Sequence, residues 1–384
     1  MIIGVDAREF IEKGKTGISR YLENLLTPLT CQPDPDFVLF VNRAGRIPHN
    51  LRTPAVKTVE LPALPTPIVD QVILPLLARR EDVDVFFSPY YKVPLSGQFK
   101  RIITVHDISF LRQEGLGRFT RLIITRQLRA STRKADIILV DSDFTGKDLV
   151  DFMPKLRCKI HRLYPDLSSD WLKPIDPADI SRIQEKYRGS QSYLLYVGNF
   201  KPHKNVDLLV QAFARLVQER RVNDRRLLLV GGDAMNLRRI MKLIHKHGMA
   251  NHIIIHPNVS DFDLRALYAA AEWFVSASGY EGFGYPLLEA MAAGCPVICH
   301  PCTSIPEVVG NAALEISGLT VEGIMNTLLQ ALSMQPAEKL NLVERGKKQA
   351  KQFLPGTAAA NFTKILSALA NRMPASLGHK GGGT

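Results

Sequence analysis

Two acidic residues eight positions apart, Glu281 and Glu289, bracket a turn that contains Gly282 and Gly284. Trp273 to Ala277, just before it, is a short apolar run with aromatic and β-branched members, the pattern of a buried strand. Pro286 follows, a residue suited to the first helical position because its missing N–H costs nothing there. Leu287, Leu288 and Met291 give that helix an apolar face. Strand, Gly-rich turn and helix N-terminus together predict an anion site, since the unpaired first N–H groups and the helix dipole both favour negative charge. A carboxylate does not bind phosphate, but it accepts hydrogen bonds from hydroxyls. A diphosphate held by N–H groups, with hydroxyls read by glutamates, describes a nucleotide sugar. The same residues read equally as a helix-dipole complement (Glu289) and a solvated loop acid (Glu281).

Two further turns have this geometry. After the strand Tyr193–Val197 comes Gly198-Asn199-Phe-Lys201-Pro-His-Lys204-Asn205, then a helix to about Val222. The chain itself opens with a strand, Ile2–Val5, the loop Lys13-Gly-Lys-Thr-Gly17 and a helix marked by Ile18, Tyr21, Leu22, Leu25 and Leu26. That loop is neither a Walker loop nor a dinucleotide fingerprint, because both spacings are missing. Thr104-Val-His106-Asp107 ends another strand, the end at which ligands bind in parallel sheets. A histidine there can donate to a sugar hydroxyl, although a lone histidine is more often a satisfied structural residue.

The run Glu281-Gly-Phe-Gly-Tyr-Pro-Leu-Leu-Glu289, followed by Ala-Met-Ala-Ala-Gly-Cys-Pro-Val-Ile, closely resembles the Glu-x7-Glu motif of the retaining glycosyltransferases of family 4. The resemblance extends in order from Gly17 to Glu307. It implies the GT-B fold, an α/β architecture of two Rossmann-like parallel-sheet domains facing across a cleft. Residues 1–170 would bind acceptor, residues 171–355 the nucleotide sugar, and a helix at 356–372 would return to the first domain. By the same resemblance Gly17 brings backbone near the donor phosphate or acceptor, and His106 contacts the donor sugar. Lys204 clamps the diphosphate, and Pro257-Asn258-Val259 holds the base by backbone contacts. Glu281 holds a sugar hydroxyl and Glu289 the ribose, with N–H groups near Phe283 and Gly284 on the leaving charge. Thr303-Ser304-Ile-Pro-Glu307 is similar to a family segment beside the donor. One departure stands out: Asn199 occupies the place of the family's usual Arg, exchanging a bidentate, always-charged fork for a neutral amide, with Lys201 available to restore charge. The implied reaction is retaining transfer of a hexose to a saccharide or lipid-linked saccharide, with no metal and no cofactor beyond the GDP- or UDP-linked sugar. The Gly-Asn-x-Lys-Pro-His-Lys-Asn variant resembles bacterial mannosyltransferases of surface-polysaccharide assembly, which makes GDP-mannose the first expectation.

The elements that must position these residues alternate strand and helix. Further strands are expected at Phe37–Val41, Val85–Phe87, Arg101–Val105, Ile137–Val140, Arg226–Gly232, His252–His256 and Val297-Ile298. Helices are expected at Val69–Arg79, Phe119–Lys134, Val321–Ser333, Ala337–Phe353 and Thr357–Arg372. Such alternation argues parallel sheets covered on both faces, and 384 residues favour two or more α/β domains. The proline-rich stretch from Tyr164 to Pro177 is the linker candidate, and Met373 to Thr384 reads as a disordered tail.

A net charge of +12 asks for an anionic partner. No nucleic-acid motif or aromatic–basic interleaving is present, so membrane surface or phosphorylated ligand is favoured over nucleic acid. The helix near 118–134 carries Arg118, Arg121, Arg126 and Arg129 without an acid, interleaved with Leu122, Ile123 and Leu128. It reads as a solvated basic face or as a surface for anionic lipid. Five cysteines and a first strand where a signal peptide would stand suggest a cytoplasmic protein, peripheral at most to the membrane. Cys295, Cys299 and Cys302 have an iron–sulfur spacing, but they flank a buried strand and two prolines. Two other readings stay open: a GT-B enzyme of different chemistry, such as a sugar-nucleotide epimerase, and a non-catalytic nucleotide-sugar-binding module.

Overall fold

The computed structural model describes residues 1–10, 16–111, 117–188, 192–222 and 224–371. Lys13 to Lys15 of the first Gly loop and the tail from Met373 lie outside them. The chain forms two units, one of residues 1–166 with 355–384 and one of residues 167–354.

In the first unit the described strands are β1 (Ile2–Asp6), β2 (Asp36–Val41), β3 (Val56–Glu60), β4 (Val85–Ser88), β5 (Lys100–Val105), β6 (Ile137–Val140) and β7 (Ile160–Arg162). They form one sheet in the order β3-β2-β1-β4-β5-β6-β7, every pair parallel. The runs Ile-Ile-Gly-Val of β1 and Phe-Val-Leu-Phe-Val of β2 carry no polar side chain because helices cover both faces. On one face Tyr21, Leu22, Leu25 and Leu26 of helix Gly17–Leu29 pack with Phe362 and Leu366 of helix Thr357–Ala370. The Asp166 carboxylate accepts from Ala358 N at 3.0 Å and so caps that last helix. The other face is closed by Leu74, Ala78 and Leu128.

The second unit holds β8 (Ser192–Gly198), β9 (Arg225–Gly231), β10 (Ile253–His256), β11 (Trp273–Ser276), β12 (Val297–Cys299) and β13 (Ala313–Glu315). Their order is β10-β9-β8-β11-β12-β13, again all parallel. The core centres on Trp273, Val275, Tyr196 and Phe213, each at most 2 % exposed. Strand order reverses between β1 and β4 in one sheet and between β8 and β11 in the other. Crevices at the carboxyl ends of strands at such a switch point are where open α/β sheets bind ligands.

Candidate active site

The loops that leave β8 and β11 meet at the switch point of the second sheet. Their backbones are stitched together: Gly279 N donates to His203 O at 2.8 Å, and Asn205 Nδ2 donates to Ala277 O at 2.9 Å. Asn205 is left-handed at φ 51° and starts helix Val206–Gln218. This framing delivers Lys204 to Glu281, whose two carboxylate oxygens each lie 2.6 Å from Lys204 Nζ. Only 15 % and 14 % of the two side chains are exposed, so the pair is shielded from water. Asn199 and Lys201 sit on the same β8 loop. The Asn199 Oδ1 accepts from Lys201 N at 3.3 Å, and Lys201 is exposed. Beside them Gly231 ends β9 at φ 102°, where a Cβ would lie 2.5 Å from Gly198 O; only glycine fits.

Downstream of Glu281, Gly282 and Phe283 lead to Gly284, which caps helix Tyr285–Ala292 in a left-handed conformation, φ 107°. The helix therefore starts one residue before Pro286. Phe283 is buried, its ring edge-on to Tyr285 and Phe353 at 5.4 and 5.6 Å. Glu289, one turn into the helix, is 2 % exposed. Its Oε2 accepts from the Tyr268 hydroxyl at 3.3 Å, in a helix whose Leu287 through Met291 are all buried. Glu281 thus stands in the loop, shielded but reachable, beside a cation, and Glu289 lies under full cover beside a phenol. Val259 is half-buried in the loop between β10 and the Ser260-capped helix Asp261–Ala270.

The remaining expected residues belong to the first unit. Gly17 opens its helix behind the N-cap Thr16, and a Cβ there would meet nothing within 4 Å. His106 follows β5. Its Nδ1 lies 2.6 Å from Asp141 Oδ2 and its Nε2 2.9 Å from Pro89 O, so both ring nitrogens have acceptors. Burial pushes the imidazole toward the neutral form, but the Asp141 carboxylate and the Pro89 carbonyl outweigh it, and the His106 pKa stands above the ordinary histidine value. Asp107 instead accepts from Ser109 N and Oγ, at 2.9 and 2.7 Å, and ties its own loop. On helix Arg118–Lys134, Phe119, Leu122 and Ile123 are 74 %, 45 % and 50 % exposed. Arg118, Arg126 and Arg129 are exposed among them, and Arg121 is half-buried. Leu128, expected with the apolar set, faces the core instead.

Sequence reasoning missed Asp141 as the partner of His106. It also passed over Thr303 and Ser304, whose hydroxyls both bond the Glu281 backbone. The first begins the stretch Asp141 to Thr145, which resembles a family loop before a helix, but nothing in that stretch pointed to His106. The second lay in a stretch already singled out, but nothing in its residue types indicated which loop it would hold. Among the described residues no group of three metal-ligating side chains occurs. Burial pushes the Cys295 thiol up to about 12 and the Cys302 thiol up to about 11.

The family model for glycosyl transferases group 1 matches residues 178–352. The O-antigen chain mannosyltransferase B of Escherichia coli is 34% identical over 271 residues, 70% of either chain. A GDP-mannose-dependent alpha-(1-6)-phosphatidylinositol monomannoside mannosyltransferase of Mycobacterium tuberculosis is 27% identical over 281 residues, 70% of this chain and 71% of that one. Among solved structures, Anabaena HepE in complex with UDP-glucose superposes with a TM-score of 0.78 at 16% identity, covering 96% of this chain and 99% of its own. WaaG, a glycosyltransferase involved in lipopolysaccharide biosynthesis, does so with 0.75 at 18% identity, covering 95% and 99%. These two likenesses give the fold, GT-B. With one relative a third identical across most of both chains and the family model spanning nearly all of the second unit, the chain belongs to the glycosyl transferases group 1 family.

Proposed function

We propose that this glycosyltransferase moves mannose from GDP-mannose, with retention, to a saccharide or lipid-linked saccharide acceptor. The observation that carries the reading is the shielded Lys204–Glu281 pair at the switch point of the second sheet. A departing glycosyl donor separates into an oxocarbenium-like sugar and an anionic diphosphate. A cation and a hydroxyl acceptor held side by side match those two halves. In this reading Lys204, with Lys201 and Asn199, stabilises the leaving diphosphate, and Glu281 accepts from a sugar hydroxyl. His106 donates to another hydroxyl, exchanging the Pro89 carbonyl for it. Glu289 takes the ribose once its carboxylate moves out from cover, Val259 contacts the base, and the backbone at Gly17 approaches phosphate or acceptor. The leaving phosphate helps to deprotonate the acceptor on the donor face, so no protein base is required, and in this reading Lys204 and Lys201 meet the leaving charge in place of a divalent metal. The choice of mannose is supported by the names of both relatives, and that of GDP by the name of the mycobacterial one.

The test is release of free nucleotide from GDP-mannose with and without an acceptor panel, with the new linkage read by NMR. Acceptor-dependent GDP release with an α-linked product, undiminished by EDTA, supports the reading. Nucleotide release or epimerised donor without acceptor points to the other GT-B chemistries, and binding without turnover points to a non-catalytic module.

A further inference from the structure

The segment after β12 holds a conformation that its sequence does not favour. Thr303 has φ 50°. It is the first central residue of a tight turn closed by Ile305 N and Cys302 O at 2.9 Å, with Ser304 next at φ −83°, ψ −11°. Positive φ at that position belongs to type II′ turns, which glycine, asparagine or aspartate dominate. A β-branched residue there is a genuine outlier, and strain of this kind persists only where the surroundings over-determine it. The surroundings are the backbone of Glu281. Thr303 Oγ1 lies 2.9 Å from Glu281 N and 2.9 Å from Glu281 O. One hydroxyl serves both, accepting from the N–H and donating to the carbonyl. The buried Ser304 hydroxyl adds bonds to Glu281 O at 2.9 Å and Phe283 O at 3.2 Å. Glycine at 303 would relieve the backbone and lose both Thr303 bonds, so the turn alone does not account for threonine.

We propose that Thr303 is a positioning residue: its hydroxyl clamps the peptide groups on both sides of the Glu281 Cα and so aims that carboxylate at Lys204 and at the transferred sugar. The part concerning the sugar rests on the donor reading above; the clamp itself does not. A loop merely tied down for stability would carry nucleotide and sugar nucleotide alike. Loosening a loop that is tied down to aim Glu281 weakens chiefly the ligand that has a sugar for Glu281 to hold.

The experiment compares the full chain with Thr303→Val, Thr303→Ser and Thr303→Gly. It reads hydrogen exchange of the 279–285 segment and calorimetric affinities for GDP and GDP-mannose. Thr303→Val keeps the shape and removes the hydroxyl. It is expected to speed exchange of the Glu281 amide by roughly tenfold, and to weaken GDP-mannose by roughly 5–10-fold while GDP changes less than about twofold. Thr303→Ser is expected to restore both. Thr303→Gly is expected to show the same sugar-specific loss with a Tm at or above the wild type. Wild-type exchange at Glu281 in Thr303→Val overturns the proposal, and so does a parallel loss for both nucleotides. If the wild type binds neither nucleotide, the donor reading fails, and the exchange comparison alone still decides whether the clamp exists.

Discussion

Lys204 and Glu281 form a shielded ion pair, and the roles proposed for them are separable by mutation. Removing one partner leaves a sheltered charge alone, so Lys204→Ala is expected to cost about 1–3 kcal/mol in urea unfolding. Replacing both by apolar residues of similar size, Lys204→Met with Glu281→Leu, is expected to recover most of that stability and no turnover. Glu281→Gln alone is expected to lower kcat/KM by roughly 10–150-fold, the worth of one charge-assisted hydrogen bond. For Glu289, Glu289→Gln is expected to weaken both GDP and GDP-mannose; a fall in Tm with affinities unchanged would confine Glu289 to an anchor for Tyr268. His106 offers a pH signature. Because its folded-state pKa is raised, it contributes stability that is fully present below the ordinary histidine value, about 6.5, and lost as pH rises through the raised value. NMR titration of the ring is expected to give a midpoint above 6.5, and Asp141→Asn is expected to bring it down. Residue types and local spacing singled out Glu281 and Lys204 as candidates, and the family resemblance was needed to add His106 to them. Asp141 and Thr303 act on residues 35 and 22 positions away, a relation that appears only when strands are laid side by side.

The strands and turns that hold these side chains have their own signatures. Gly231→Ala places a methyl 2.5 Å from the Gly198 carbonyl in a backbone conformation unsuited to alanine. It is expected to lower Tm by roughly 5–10 °C. Gly17→Ala meets nothing within 4 Å and is expected to leave Tm within about 2 °C. A drop in kcat/KM without a drop in Tm would place a ligand against that backbone. The interior strands, from β1 and β2 through β8 and β11, could be read directly because both their faces are covered and their residues run apolar. The missed strands, β3, β7 and β13, are all sheet edges. Edges are kept short and polar to discourage further pairing: Val-Lys-Thr-Val-Glu and Ile-His-Arg carry charge where an inner strand would carry valine. The helix from Thr66 to Arg80 started earlier than its apolar pattern suggested, because Ile68 lies on its exposed side and its middle, Val69–Ile73, winds as a π-helix.

At the scale of the whole molecule, a net charge of +12 and the exposed Phe119, Leu122 and Ile123 among arginines are what motivate the proposal that helix Arg118–Lys134 meets anionic lipid. No helix among the described residues is long and apolar enough to cross a membrane. The protein is expected to float with phosphatidylglycerol vesicles at low salt and to leave them at high salt. Arg126→Glu with Arg129→Glu is expected to abolish the association while donor affinity is kept, whereas indifference to vesicle charge would leave the basic face a solvated one. The account as a whole rests on an activated sugar being gripped where the β8 and β11 loops meet. A crystal structure of the protein with GDP-mannose tests this most directly. It is predicted to show the diphosphate within hydrogen-bond reach of Lys204 and a mannose hydroxyl on Glu281, and a nucleotide lodged away from both residues would contradict it.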